Sequence, residues 1–307
     1  MSSSGVRPSS VCPHRRLHGA ALAGALLATV PYLVLKLMWL GGSTVGMTDR
    51  GEAVEMHSTR FVVGNSITVV LMLVAAGLVV ALTRPWAERV PARLLFVLAA
   101  GATGLLAPVL LGLPLGLAIQ AMTTSDVQPA DDTGLEAWVF GVVYSGFALL
   151  AIAMATLLLA HVARRWGHLV ARAPHRPSWP ALLAGALGLL PFAAAMASWG
   201  SFGPGSTGPR GMDLPAQRTV LVVTAVLSGA AFVVPFSRRS ARVPRLAWLT
   251  AWTGCCVAAL QGPAQLLLAE GGKLEPVVAV VALVSTPGAS LFGMHLIRRQ
   301  IVAPEPV

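Results

Sequence analysis

The chain has 307 residues, 55% of them apolar and 11% charged, with a mean hydropathy of +0.73. That balance excludes an ordinary soluble globular protein and points to a membrane protein. The formal net charge of +10 would suggest nucleic acid in a soluble chain, but mapped onto the loops it proves to be a topology signal, so no nucleic-acid partner is expected.

The first element follows a Ser- and Pro-rich tail, residues 1–18, whose composition reads as a disordered cytoplasmic segment. Arg15 and Arg16 precede an apolar run of more than twenty residues with no small-x-small cleavage site after it. It reads as an uncleaved signal anchor. A membrane-spanning helix needs about 20 mainly apolar residues. Eight segments qualify, at roughly 19–41, 61–83, 94–120, 137–163, 180–200, 219–237, 246–269 and 276–297.

The loops set the orientation. One side collects Arg7, Arg15, Arg16, Arg84, Arg89, Arg93, Arg164, Arg165, Arg172, Arg176, Arg238, Arg239, Arg242, Arg245, Arg298 and Arg299, against five cations on the other side. Of the acids, only Glu88 and Glu305 fall on the basic side. Short arginine-rich loops stay in the cytoplasm, so both termini are expected there. The Ala-, Gly- and Arg-rich composition is that of a high-GC bacterial genome, which places the chain in a bacterial plasma membrane.

Rarer residues recur in one order in the two halves. Pro31-Tyr32 with Trp39 is matched by Pro191-Phe192 with Trp199, and Arg60 and Arg218 enter the second and sixth segments. Those segments leave through Val79-Val80 to Arg84 and Val233-Val234 to Arg238. Arg89-Val90-Pro91 and Arg242-Val243-Pro244 open the third and seventh, and His161 and His295 stand three residues before paired arginines in the fourth and eighth. The fold expected is therefore an all-α integral membrane protein of eight transmembrane helices. They form two tandem parallel four-helix repeats, 19–165 and 180–299, joined by a cytoplasmic linker at 166–179 and ending in a cytoplasmic tail at 300–307. Four spans per copy insert in one orientation, so the repeat axis would run along the membrane normal.

Within the spans, ionisable and polar groups are few. Lys36 is the one charge that no shift of boundary removes from a span, and its counterpart in the second half is Met196. It is shallow, so it either snorkels towards Asp49, Glu52 or Glu55 or faces a ligand. The candidate ligand- or pathway-lining residues are Lys36, Tyr32, Trp39, Asn65, Trp199, Gln261 and Gln265. The glutamines share one helix face at i and i+4, and either bind a polar ligand or hydrogen-bond neighbouring helices. Paired breaks at Pro31 and Pro191, and at Pro114 and Pro263, mark a binding site if they open the helices and packing kinks if they do not.

No catalytic, cofactor-binding or metal-binding residue is expected, and no cofactor. The vicinal Cys255-Cys256 reads as small packing residues; His57 in the first outer loop belongs to a solvated acidic loop. A His161/His295 haem pair is outweighed by ordinary interfacial histidines. Without an Asp or Glu inside a span, carboxylate-relay pumping has no residues. Three function classes remain, and the chain is not expected to be an enzyme in either of the first two. One is a small-molecule transporter or permease with a pathway at the repeat interface. The second is a non-catalytic membrane sensor, regulator or complex subunit, with a membrane-protein partner or a homo-oligomer in the lipid bilayer. The third is a lipid- or haem-acting membrane protein.

Overall fold

The structure is a computed structural model that describes residues 13–48, 59–123, 135–267 and 275–302. Among these residues it is all helical apart from one isolated bridge between Met47 and Leu135. The long helices are α1 (Pro13–Leu40), α2 (Thr59–Thr83), α3 (Ala92–Thr123), α4 (Ala137–Arg165), α5 (Trp179–Phe202), α6 (Pro215–Val233), α7 (Pro244–Leu267) and α8 (Pro276–Val302). Short helical turns at Pro85–Arg89, Gly167–Val170, Val234–Phe236 and Arg238–Ala241 occupy the arginine-rich connections.

Seven of these helices are long and apolar enough to cross a membrane, and the chain is a multi-pass, membrane-embedded all-α protein. The helix outside that set is α7, which has the length but carries Trp248, Thr250, Trp252, Thr253, Gln261 and Gln265. Its polarity has a structural reason. α7 packs against α3, α6 and α8, Thr253 to Ala259 form an unbroken buried run, and Trp252, Gln261 and Gln265 bond to neighbouring helices. α1 starts at Pro13, inside the stretch read from composition as tail, while its apolar part runs Gly19–Leu40.

Three helix pairings occur at corresponding places in the two halves. The pairs α1–α2, α1–α4 and α3–α4 in the first half recur as α5–α6, α5–α8 and α7–α8 in the second. One core gathers around Met72, Leu78, Val79, Leu150 and Met154, and the other around Leu189, Phe192, Leu221, Val257 and Phe292. The halves meet through α3, which lies along both α6 and α7. The reciprocal pairing of α7 with α2, required by a strict two-fold relation, is not among the extensive helix contacts.

Glycine sets the spacing at these contacts. A methyl group on Gly104 would fall 2.4 Å from the Cys256 carbonyl oxygen, one on Gly112 2.8 Å from the Val220 α-carbon, and one on Gly116 2.5 Å from the Ala216 carbonyl oxygen. Along three turns of α3, then, the backbones of the two halves touch directly, which any side chain would prevent. Small residues at four-residue spacing on α8 pack in the same way. Ser285 lies near Gly262, Ala289 beside Gly188, and Gly293 beside Cys255. The similarly spaced Gly141 and Ser145 of α4 make no such close contact: Gly141 faces open space, and the Ser145 hydroxyl donates to the Gly141 carbonyl of its own helix.

Candidate functional site

Four of the sequence-predicted residues come together where the C-terminal end of α1 meets the N-terminal end of α2. Tyr32, Lys36 and Trp39 stand four and three residues apart, so they occupy one face of α1. The Lys36 ammonium donates to Asn65 Oδ1 on α2 at 2.6 Å. It also lies over two aromatic rings, 5.2 Å from the Tyr32 centroid and 4.6 Å from the Trp39 centroid. Cation–π attraction of this kind is worth about 0.5–2 kcal/mol, more as water is excluded. The half-buried lysine thus has Asn65 and the two rings around it. The acids named as its alternative partners, Asp49, Glu52 and Glu55, and also His57, lie outside the described residues.

Neighbouring groups hold this cluster in place. Tyr32 packs edge-on against Phe147 of α4, with centroids 5.2 Å apart, and Trp39 lies against Phe61 of α2. The Trp39 indole N–H donates to the Val45 carbonyl at 2.9 Å, folding the loop after α1 back over the helix end. Gly46 has φ +77°, and a methyl there would strike Val139; its carbonyl accepts the Glu136 N–H at 2.9 Å, joining that loop to the start of α4.

The other three predicted residues lie elsewhere, in the second half. Trp199 is buried, and its N–H points to Thr207 Oγ1 at 3.4 Å in the following loop, whereas Trp39 reaches a backbone carbonyl of its own loop. Gln265 donates from Nε2 to the Met196 sulfur at 3.7 Å, while its Oε1 is buried without a hydrogen-bond partner among the described residues. Met196 is the residue that stands in the Lys36 position.

Gln261 has a structural use that is plain from its partner. It donates from Nε2 to the Gly104 carbonyl of α3 at 2.8 Å. Pro108 lies inside α3 and has no N–H, so the Gly104 carbonyl is the one left without its helical donor. A second staple of the same kind joins α7 to α8. Pro263 releases the Ala259 carbonyl, and the Thr286 hydroxyl donates to it at 3.0 Å. The helices run through their prolines unbroken, and Pro31, Pro191, Pro114 and Pro263 all sit on exposed faces. Among the described residues, then, none of these four prolines breaks its helix, so the paired positions do not expose a broken helix end.

Further residues of this interface escaped sequence reasoning. The Trp252 indole donates to Thr103 Oγ1 at 3.1 Å and packs edge-on against Phe96. Gln120 Oε1 accepts the Ala216 N–H at 3.3 Å, one of the donors left open at the start of α6. A small cavity of about 10 Å³ lies beside it, lined by Leu117, Gln120, Tyr144 and Gln217, with room for about one water. The signal for Gln261 was available: a proline four residues after a glycine in α3 announces an orphan carbonyl that needs a donor. Gln120 gave no such signal, because a polar residue at a helix end is indistinguishable from an ordinary boundary.

The two matched histidines also part company. His295 Nε2 accepts the Ser178 N–H at 3.2 Å and lies 3.3 Å from its hydroxyl, tying α8 to the N-cap of α5. His161 is buried beside Trp166, and its Nε2 has no partner among the described residues. The helices that carry them, α4 and α8, have no extensive contact, so the pair does not converge on one ligand. Among the described residues no group of three His, Cys, Asp or Glu side chains could hold a metal ion.

No protein family, no curated protein and no solved structure matches the chain.

Proposed function

We propose that the chain is an eight-span protein of a bacterial plasma membrane, a tandem duplication of a four-helix unit with both termini in the cytoplasm. In this reading it works as a non-catalytic membrane subunit or regulator whose halves do not move apart. The observation that carries the reading is the junction of α3 with α6 and α7. Three glycines bring backbone onto backbone there, and Gln261 and Trp252 bond across it to Gly104 and Thr103. A permease that rocks one repeat against the other has to open that seam in every cycle. The duplication is supported by the matched tryptophan-to-loop bonds and by the recurring helix neighbours.

The test is to lock the seam. Leu117 and Gln217 line one recess across α3 and α6. Replaced by cysteine and joined with a bis-methanethiosulfonate cross-linker, they would hold the halves together in a strain lacking the native gene. A locked protein that restores the deletion phenotype as fully as the unlocked one supports a static partner. Loss of rescue only on cross-linking would sink the reading in favour of a permease with a pathway between the halves.

The second reading, a permease or ligand-binding protein with its site inside the first half, rests on the Tyr32, Lys36, Trp39 and Asn65 cluster. That grouping is polar and has no counterpart in the second half, where Phe192, Met196 and Trp199 are buried together in the apolar core.

A further inference from the structure

The α3–α4 pair takes different neighbours along its length. Near the α3 N-terminus the two helices share a core: Leu95, Leu98, Ala102 and Leu106 of α3 pack with Leu150, Met154 and Leu157 of α4. The Arg165 guanidinium at the end of α4 donates to the Val90 carbonyl just before α3 at 3.2 Å. Beyond Leu106 the helices part. α3 lies on α6, with Gly112 against Val220, Gly116 against Ala216 and Gln120 on the Ala216 N–H. α4 lies on α1. A methyl on Gly146 would fall 3.0 Å from the Ala28 carbonyl, Phe147 packs on Tyr32, and Val139 joins Leu35, Trp39 and Met47. The recess at Gln120 and Tyr144 lies between the parted ends, and a methyl on Gly141 of α4 would meet nothing within 4 Å.

The α7–α8 pair shows the alternative. Gly262 backs onto Ala282, the Thr286 hydroxyl donates to the Ala259 carbonyl at 3.0 Å, and Gly293 lies on Cys255, so those helices stay together. Two segments that precede the second half in sequence also belong to it by their bonds. One is α3, through Gly104 to Gln261 and Thr103 to Trp252. The other is the linker, residues 166–178. The Trp248 indole donates to the Arg172 carbonyl at 2.8 Å and Gln300 Nε2 to the Leu169 carbonyl at 2.8 Å. Buried Gln300 also holds His175 Nδ1 at 2.9 Å from its Oε1, and His295 accepts the Ser178 N–H. The C-terminal end of α4 is therefore fastened on both sides, by Arg165 to the turn before α3 and by the chain itself to the docked linker. Its N-terminal end is fastened to α1.

We infer that α1, α2 and α4 form an arm that pivots about the C-terminal end of α4 on a body made of α3, the linker and α5 to α8. The moving boundary runs through the first half and leaves the seam of α3 with α6 and α7 shut. Opening costs least where few packed contacts cross an interface, and a rigid-body swing needs one end held and the other free. The swing carries α1 and α2 along, because Tyr32 holds Phe147 and Lys36 holds Asn65. It widens and narrows the recess between Gln120 and Tyr144. The polar lining there, two glutamine amides and a phenol, hydrogen-bonds without carrying charge, so the widened recess admits water.

The experiment uses the full chain in lipid nanodiscs with Cys12→Ser as background and the buried Cys255 and Cys256 left in place. Spin labels are attached in pairs at exposed positions, where folding is not at stake, and their distances are read by double electron–electron resonance. Met122→Cys with Ser145→Cys spans the recess, and Met122→Cys with Val280→Cys lies within the body. Leu37→Cys with Ser145→Cys lies within the arm, and Val97→Cys with Leu159→Cys brackets the pivot. The pair across the recess is expected to give a distance distribution about twice as broad as the other three. Four equally narrow distributions would mean a rigid chain and overturn the arm. A broad Met122/Val280 distribution would put α3 in the moving part, and a broad Leu37/Ser145 one would part α4 from α1; either overturns the division into arm and body. A broad Val97/Leu159 distribution would mean that the helices separate along their whole length, which overturns the pivot.

Discussion

The Gln261 amide of α7 donates to the Gly104 carbonyl of α3, the carbonyl that Pro108 leaves without a helical donor. Because Gly104 has no side chain, α3 comes close enough to the Cys256 carbonyl for that bond to form. Three residues chosen for three different properties thus make one contact: a missing side chain, a missing N–H and an added amide.

Gln261→Leu should destabilise the protein by about 1–2 kcal/mol, the cost of a buried carbonyl left without a donor. Pro108→Ala restores the helical N–H to that carbonyl, so in its background the same change should cost much less. Unfolding in mixed micelles measures the four corners of this double-mutant cycle. Equal costs in both backgrounds would show that Gln261 does not act through Gly104.

Gly104→Leu should separate the two halves or prevent folding, because its side chain would enter the space held by the α7 backbone. Gly64→Ala is the opposite case, since a methyl there meets nothing within 4 Å and replaces glycine by a better helix former. It should be neutral or stabilising by about 0.5–1 kcal/mol. Thermal melting in detergent compares the two, and similar losses for both would refute the assigned packing.

Asn65→Leu removes the amide acceptor of the Lys36 ammonium, one of the contacts that, with the Tyr32 and Trp39 rings, hold it in place. A loss of roughly 1–3 kcal/mol is expected, and Lys36→Met, which copies the second half, should relieve most of it. The intrinsic fluorescence of Trp39 offers a local readout, best followed with the other tryptophans replaced. If Asn65→Leu leaves both melting and fluorescence unchanged, the lysine is held by something else.

His295→Phe keeps the ring volume but removes the acceptor for the Ser178 N–H at the start of α5. The expected cost is about 1 kcal/mol, typical of a lost helix cap. Amide exchange at Ser178 should rise with it. Unaltered exchange there would mean that water serves the N–H equally well.

Of the predicted site, Tyr32, Lys36 and Trp39 were legible because helical spacing alone puts i−4, i and i+3 on one face of α1. Asn65 was legible only as a rare polar residue in a span. Its pairing with Lys36 depends on how α2 rises against α1, 29 residues along the chain. Gln261 and Gln265 looked like one polar face, yet they serve different neighbours, Gly104 of α3 and Met196 of α5. Spacing on a helix says which residues point the same way and nothing about what stands opposite them.

By itself the sequence determined that the chain is apolar and helical and lies in a membrane, because length, hydropathy and proline-tolerant runs are properties of each segment alone. Its recurring residues gave the expectation of two like halves, which the proposed function takes up. Only the tertiary structure decided that these halves are joined asymmetrically, with α3 laid on α6 and α7. That choice depends on backbone approaches so close that a methyl on Gly104, Gly112 or Gly116 would lie 2.4–2.8 Å from the neighbouring helix. No local pattern distinguishes a glycine that is covered from one that is not.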